Sequence, residues 1–238
     1  MIAVVSSTVA PSSQPSHDGA RTTLDPELRL EQTQATVSSL VALGATDILI
    51  VDNSPGQWLS DRAAVLAPAR VISVSHPAFR NKGIGELWLL RAALEALPDN
   101  QPILKLSGRY RIGPRTELLL RDEDDIVAKV YRDGRFGEIS TRGYLVRDKS
   151  VASRLWMRSL DEVYAERTRI VGPRSLLRIV RNSLRPAEDT YPYADPNTFS
   201  LEQASFRAIR HLGLRLRQVS HLDVMGTLGS WINPSISE

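Results

Sequence analysis

From Ile2 to Leu106 the chain alternates short β-branched apolar runs with stretches that carry apolar residues at helical spacing, and this alternation limits the fold more than any other feature. Ile2 to Val5 is the first such run. It ends in Ser6-Ser7-Thr8 and opens into a Pro-, Ser- and Gly-containing stretch that reads as a loop to about Thr23. Pro26 to Leu43 reads as a helix on Leu28, Leu30, Val37, Leu40 and Val41, with Gly44 as its stop. The run "DILIVDNSPG" is a buried strand closed by turn residues. A helix near Trp58 to Leu66, a strand at Arg70 to Ser75, a helix from about Gly85 to Leu97 and a strand at Pro102 to Leu106 follow. Strands and helices in this order require right-handed crossovers, hence an α/β chain with a mainly parallel sheet flanked by helices. In such sheets ligands sit beyond the carboxyl ends of the strands. The ends here are Ser6-Ser7-Thr8, Asp52-Asn53-Ser54, His76 and Ser107-Gly108-Arg109-Tyr110, and all are polar.

Beyond Gly113 the order changes. Strand-like runs at Asp125 to Tyr131 and Glu138 to Val146 flank "RDGRFG", a hairpin signal, and a helix from about Ser150 to Glu166 follows. Six arginines (167, 169, 174, 178, 181 and 185) then crowd a basic segment at 167–186. There Leu176, Leu177, Val180 and Leu184 recur at helical spacing. Such a helix suits either an anionic membrane surface or the closing of a core with a solvated arginine face. A Pro-, Asp- and Tyr-rich loop leads to a last helix, Leu201 to His211, where Ser200 and Gln203 form a capping-box pattern. We expect one large domain in two halves, a binding half at 1–112 and a second, helical/β half at 113–238.

Composition removes several classes. Hydrophobic residues at 42% and charged residues at 24% are globular values, so disorder is not expected. The absence of cysteine excludes disulfides, thiolate metal ligands and thiol nucleophiles. No apolar run approaches the roughly 20 residues that cross a bilayer, and "MIAVVSSTVAP" lacks a basic region before its apolar run. A cytoplasmic protein is the expectation, at most peripheral at the inner face of the membrane. The net charge is only +3, and six tyrosines with four residues each of Trp and Phe give little aromatic interleaving for nucleic-acid stacking.

Three stretches carry candidate chemistry. "NKGIGELW" (Asn81, Lys82, Gly83, Gly85, Glu86) puts a cation and two glycines before a helix start, where backbone N–H groups and the helix dipole favour an anion. A plain loop-to-helix transition with a solvated lysine would look the same. "VDNS" puts Asp52 and Asn53 at a strand end, able to bind a ribose hydroxyl or a base, or simply to build a turn. In "KLSGRYRI", Ser107, Gly108, Arg109 and Tyr110 leave the sheet on the same edge, and Arg109 can fork onto a phosphate. Asp122-Glu123-Asp124-Asp125 reads as a solvated acidic turn. His17, His76 and His211 show no metal-ligand spacing.

"KGIGE" about twenty residues before "KLSGRY", with the tail "SLEQASFRAIRHLGLRLRQVSHLDVMG", resembles bacterial polysaccharide-biosynthesis proteins related to GT-A glycosyltransferases, distantly the glycosyltransferase family 2. The resemblance covers most of 1–112 and 200–226. It implies a GT-A-like (Rossmann-like) fold and a nucleotide sugar bound by Ser6, Ser7, Thr8, Asp52, Asn53, Asn81, Lys82, Gly83, Gly85, Ser107, Gly108, Arg109 and Tyr110. It also implies a glycan or lipid-linked acceptor on the side of 113–238. Glu202 matches the first position of the family's acidic pair, and Gln203 stands where its aspartate base would be. Glu202 is therefore the first candidate base and Glu86 the second. Arg207 and Gly213 match the helix arginine and its terminator, and His221 lies near a C-terminal metal or phosphate ligand position. The family's Asp-x-Asp for a divalent cation is replaced by Ser107-Gly108-Arg109. No cofactor is therefore expected; Mg²⁺ or Mn²⁺ use is not excluded, and Lys82, Arg109 and helix N–H groups would carry leaving-group charge. A non-catalytic nucleotide- or anion-binding protein is the alternative.

Overall fold

The computed structural model describes residues 1–11, 25–76, 79, 81–134, 137–168, 173, 176, 177, 180, 199–227 and 235–237. A seven-stranded sheet forms its centre. In chain order the elements are β1 (Ile2–Ser7), α1 (Pro26–Ala42), β2 (Asp47–Asp52), β3 (Arg70–Ser73), α2 (Lys82–Ala93), β4 (Ile103–Ser107), β5 (Tyr110–Ile112), β6 (Ile126–Arg132), β7 (Glu138–Val146), α3 (Lys149–Thr168), α4 (Leu201–Leu212), β8 (Leu216–Val219), β9 (Val224–Thr227) and β10 (Ser235–Ser237). The sheet order is β3-β2-β1-β4-β7-β6-β8, and β10-β9-β5 form a separate small sheet. Pairings β2–β3, β1–β2, β1–β4 and β6–β8 are parallel, and β7 runs antiparallel to both neighbours. This is the mainly parallel, helix-flanked sheet that the alternation implies.

Period-two patterning explains why both faces are covered. Along β1, Ile2 and Val4 enter one core with Leu49, Val51 and Ile103, while Ala3 and Val5 enter the other with Ile48, Ile50, Leu104 and Leu106. Helices α2, α3 and α4 cover the first face, with Leu87, Leu90, Leu155, Trp156, Phe206 and Ile209. The second face is covered by α1, through Leu30, Val37 and Leu40, and by Tyr110 and Ile112 of the small sheet. Because β2 and β3 lie on one side of β1 and β4 on the other, the strand order reverses between β1 and β4. A parallel sheet opens a crevice at such a point.

Several local expectations change. The region near Trp58 to Leu66 is not an α-helix but two 3₁₀ pieces, Pro55–Gln57 and Ser60–Leu66, the first with Gly56 at φ 63° inside it. Helix α2 starts at Lys82, because the Asn81 side chain accepts a hydrogen bond from Gly83 N–H and so caps the helix three residues earlier than the apolar spacing indicates. Only half of the capping box of α4 forms. Ser200 Oγ accepts from Gln203 N–H at 3.1 Å, whereas the Gln203 amide donates to Glu138 Oε1 at 2.7 Å. Gly44 (φ 82°) and Gly213 (φ 62°) end α1 and α4 in the left-handed region, as glycine permits. Asp124 and Asp125 are not a solvated turn. Asp124 pairs with Arg217 at 2.7 Å and Asp125 with Arg215 at 2.8 Å, tying β8 to the start of β6. The partner charges and hydrogen bonds of Arg215 hold the Asp125 carboxyl down at about 2. In the basic segment, Arg167 lies in α3 and Leu176, Leu177 and Val180 are exposed. Arg169, Arg174, Arg178, Arg181, Arg185 and Leu184 lie outside the described residues, as does His17.

Candidate functional site: a polar cleft at the strand ends

At the carboxyl ends of β1, β2 and β4 the chain forms an open cleft of about 140 Å³. Ser6, Ser7, Thr8, Pro11, Arg29, Asn53, His76, Phe79, Lys82, Gly85, Glu86, Leu89, Ser107, Gly108 and Arg109 line it. A few convergent polar groups in an apolar frame are the usual make-up of a small-molecule site.

The floor is built around one carboxylate. Glu86, one turn into α2, accepts hydrogen bonds at Oε1 from Ser6 Oγ at 2.8 Å and Ser107 Oγ at 3.2 Å, and pairs there with Lys105 Nζ. Lys105 has no solvent exposure. Its ammonium also donates to Ser107 Oγ at 3.0 Å and to the Thr141 carbonyl, so all three protons have acceptors. Burial alone would push the Glu86 carboxyl up. The Lys105 charge and the hydrogen bonds from Lys105, Ser6 and Ser107 outweigh that and hold it below the usual carboxylate value. The floor thus carries a fixed, ionised carboxylate with 23% of its side chain exposed to the cleft.

The walls follow from close backbone approach. Gly108 N–H donates to the Ser6 carbonyl at 2.8 Å, pinning the turn after β4 to the end of β1. A Cβ on Gly108 would lie 3.1 Å from Ser7 Cβ, which is why that turn carries glycine. Thr33 of α1 lies 3.0 Å from the Gly108 carbonyl and 2.9 Å from the Arg29 carbonyl, its hydroxyl proton shared between them. This buried contact brings the first turns of α1, and with them Arg29, to the cleft beside Arg109. Opposite, Thr8 donates to Asn53 Oδ1, and the Asn53 amide donates to His76 Nε2 at 2.9 Å. His76 and Phe79 sit 5.4 Å apart, and Phe79 stacks on Trp88 at 6.1 Å.

Of the residues named from sequence, Ser6, Ser7, Thr8, Asn53, Lys82, Gly85, Glu86, Ser107, Gly108 and Arg109 meet in this cleft. Seven others have different work. Asp52 is buried, and its two oxygens accept Val9 N–H at 3.0 Å and Ser54 N–H at 2.8 Å, so it shapes the loop after β1. Asn81 caps α2 and donates to the Phe199 carbonyl at 3.2 Å. Gly83 lies against α4, where an added Cβ would come 2.9 Å from Leu201 Cβ; its need for glycine is packing rather than phosphate approach. Tyr110 is a core residue, 2% exposed. His221 is an exposed residue whose N–H donates to Glu117 at 3.2 Å, away from the cleft lining. Glu202 accepts from Thr141 Oγ1 at 2.8 Å and is likewise not part of the lining. Arg207 pairs with Glu166 at 2.7 Å and covers Phe199, which is a packing role.

Sequence reasoning missed Arg29. Nothing along α1 says which of its turns meets the strand ends, because that is set by the Thr33–Gly108 contact between distant parts of the chain. A divalent cation of the kind the GT-A resemblance raises does not fit here. Where carboxylates would hold it stand Ser107, Gly108 and Arg109, with a second guanidinium alongside, and no group of three or more metal-ligating side chains occurs among the described residues.

No protein-family model matches the chain, and no curated protein matches it in sequence. Solved structures with a similar chain path include a nucleoside-diphosphate-sugar pyrophosphorylase from Vibrio cholerae RC9, at 12% identity over 95% of each chain and a TM-score of 0.46. Another is the apo-form glycosyltransferase GlyE of Streptococcus pneumoniae TIGR4, at 14% identity over 80% of this chain and 44% of that one, with a TM-score of 0.43. A third is a 4-diphosphocytidyl-2C-methyl-D-erythritol synthase from Anaerococcus prevotii DSM 20548, at 12% identity over 90% and 98% of the two chains and a TM-score of 0.41. Among the described residues no helix is long and apolar enough to cross a membrane.

Proposed function

We propose that the cleft binds a nucleotide sugar and that the protein transfers its sugar to a glycan or lipid-linked acceptor in bacterial surface polysaccharide synthesis. The observation that carries this reading is the pairing of an ionised carboxylate on the cleft floor, Glu86, with basic side chains on its walls, Lys82 and Arg109, at the strand-order reversal of a parallel sheet. A phosphate-bearing donor fits the basic wall. A hydroxyl-bearing sugar fits the carboxylate and the serine cluster of Ser6, Ser7 and Ser107. Residues 1–112 supply the donor side, and 113–238 the acceptor side.

Glu86 replaces Glu202 as first choice for the base, because it is the carboxylate among the residues lining the cleft. In the transfer step the acceptor O–H gives its proton to Glu86. The acceptor oxygen bonds to the anomeric carbon while the bond from that carbon to the phosphate oxygen breaks, and its electron pair leaves with the nucleotide. A carboxylate held below its ordinary value is ready ionised at neutral pH but is a weak base, so proton transfer accompanies bond formation rather than preceding it. The same commitment of Glu86 Oε1 to Lys105, Ser6 and Ser107 favours a second reading, a nucleotide-binding protein without turnover.

A thermal-shift screen with UDP, GDP, CMP, dTDP and their sugars, each with Mn²⁺ or EDTA, tests the reading, since a ligand that binds only the folded state raises the melting temperature. We expect one nucleotide class to shift it with EDTA present, and turnover of that donor sugar to disappear in Glu86→Gln while donor binding persists. No shift with any of them contradicts the binding claim; binding with no transfer or hydrolysis supports the second reading.

A further inference from the structure

The cleft holds two arginines where one would be enough to balance a single phosphate charge. Arg29 and Arg109 both line it, brought together by the Thr33 bridge from α1 to the turn after β4. Arg29 Nε is buried and makes no hydrogen bond among the described residues. Among the described residues no carboxylate forms an ion pair with either guanidinium in the cleft. Asp52 is near enough to act on Arg29 through space, but both its oxygens are engaged by backbone N–H groups, and Glu86 is neutralised by Lys105. Burial, together with the Arg109 charge, lowers the Arg29 guanidinium to about 10, with Asp52 opposing only in part. A folded chain that keeps two like charges side by side, one of them with a buried unfilled donor, carries a penalty that a bound anion would relieve.

We propose that Arg29 and Arg109 form a clamp that holds the two phosphates of a diphosphate in the cleft, in the place where a divalent cation would otherwise neutralise them. The clamp rests on the nucleotide-sugar reading for its ligand, but it makes a separate demand on chemistry. Guanidinium groups offer forked donors that match phosphate oxygens in pairs, and they hold full charge without a metal. The ligand class is therefore a diphosphate rather than a monophosphate or a carboxylate.

Inorganic pyrophosphate is the probe, added in EDTA to the full chain, with binding read by calorimetry and melting temperature. Expected results are binding to the unaltered protein, tighter than inorganic phosphate by at least tenfold, and a loss of tenfold or more in both Arg29→Gln and Arg109→Gln. Arg29→Lys, which keeps the charge without the fork, falls between. The ligand-free melting temperature of Arg29→Gln and of Arg109→Gln equals or exceeds that of the parent, because repulsion has been removed; this also shows that the loss of binding is not unfolding. Pyrophosphate that fails to bind, or binds both variants as it binds the parent, overturns the clamp. The two claims separate as follows: nucleotide sugars that bind parent and Arg29→Gln alike sink the clamp and leave the nucleotide-sugar reading standing. Arginine-dependent pyrophosphate binding that no nucleoside or sugar improves supports the clamp and removes that reading.

Discussion

Lys105 sits in the middle of a central strand with no solvent exposure, surrounded by Glu86, Ser107, the Thr141 carbonyl and, at 5.7 Å, the Tyr144 ring. A buried ammonium survives only because each of its protons is accepted and its charge is balanced. Lys105→Met should therefore lower stability by about 3 kcal/mol, because it leaves the Glu86 carboxylate without its counter-charge, and Lys105→Met with Glu86→Gln should recover most of the loss. Urea unfolding of the three variants measures this; a double variant no better than the single one would mean the pair is not coupled. From sequence, Lys105 reads as a strand flank, since a single lysine in an apolar run gives no sign of its partner twenty residues earlier on a helix. Arg29 was hidden for the same reason. Ser6, Ser7, Thr8, Asn53, Ser107 and Arg109 were legible because each ends or follows a strand, and in a parallel sheet the strand ends share an edge.

Elements were legible where periodicity was strong and less so at their ends. The start of α2 shows the limit. Apolar spacing indicates a start near Gly85, but the Asn81 cap sets the helix at Lys82, so Gly83 and Gly85 are helical residues rather than a phosphate loop. Their surroundings differ. An added Cβ at Gly83 meets Leu201 Cβ at 2.9 Å, whereas at Gly85 the nearest atom is His76 Cε1 at 3.5 Å. Gly83→Ala should destabilise by about 1–2 kcal/mol as α2 and α4 are pushed apart. Gly85→Ala should be neutral or stabilising by up to about 1 kcal/mol, through helix propensity. Thermal unfolding that ranks the two the other way would contradict this account of their packing. The 3₁₀ pieces between β2 and β3 and the strands of the small sheet escaped the sequence reading because their residues, such as Tyr110 and Met225, pair only with distant chain and repeat too briefly to show a period.

At the scale of the molecule, the sheet order places the cleft. β1 and β4 are neighbours although about a hundred residues of chain separate their starts, and the strand order reverses between them. The parallel pairing of β1, β2, β3 and β4 is what the alternation implies, whereas their order β3-β2-β1-β4 is not fixed by local pattern. The placement of β7 between β4 and β6 did not follow from local pattern, since an antiparallel strand inserted beside β4 is a choice made by packing of α3 and α4 over Trp156, Phe206 and Tyr144. That insertion puts Thr141, and through it Glu202, next to the Lys105 ammonium and joins the second half of the chain to the cleft floor.

Hydrogen exchange of the full chain, with and without each nucleotide sugar of the screen and with EDTA present, tests most directly whether this cleft is the binding site. The account predicts that the ligand that raises the melting temperature slows exchange at 6–10, 53–54 and 107–109 and in the first turns of α1 and α2. Slowing confined to other segments, such as the groove that Arg158 and Glu162 of α3 line with Phe206 and Arg210 of α4, or no slowing at the strand ends with any of the ligands, would contradict it.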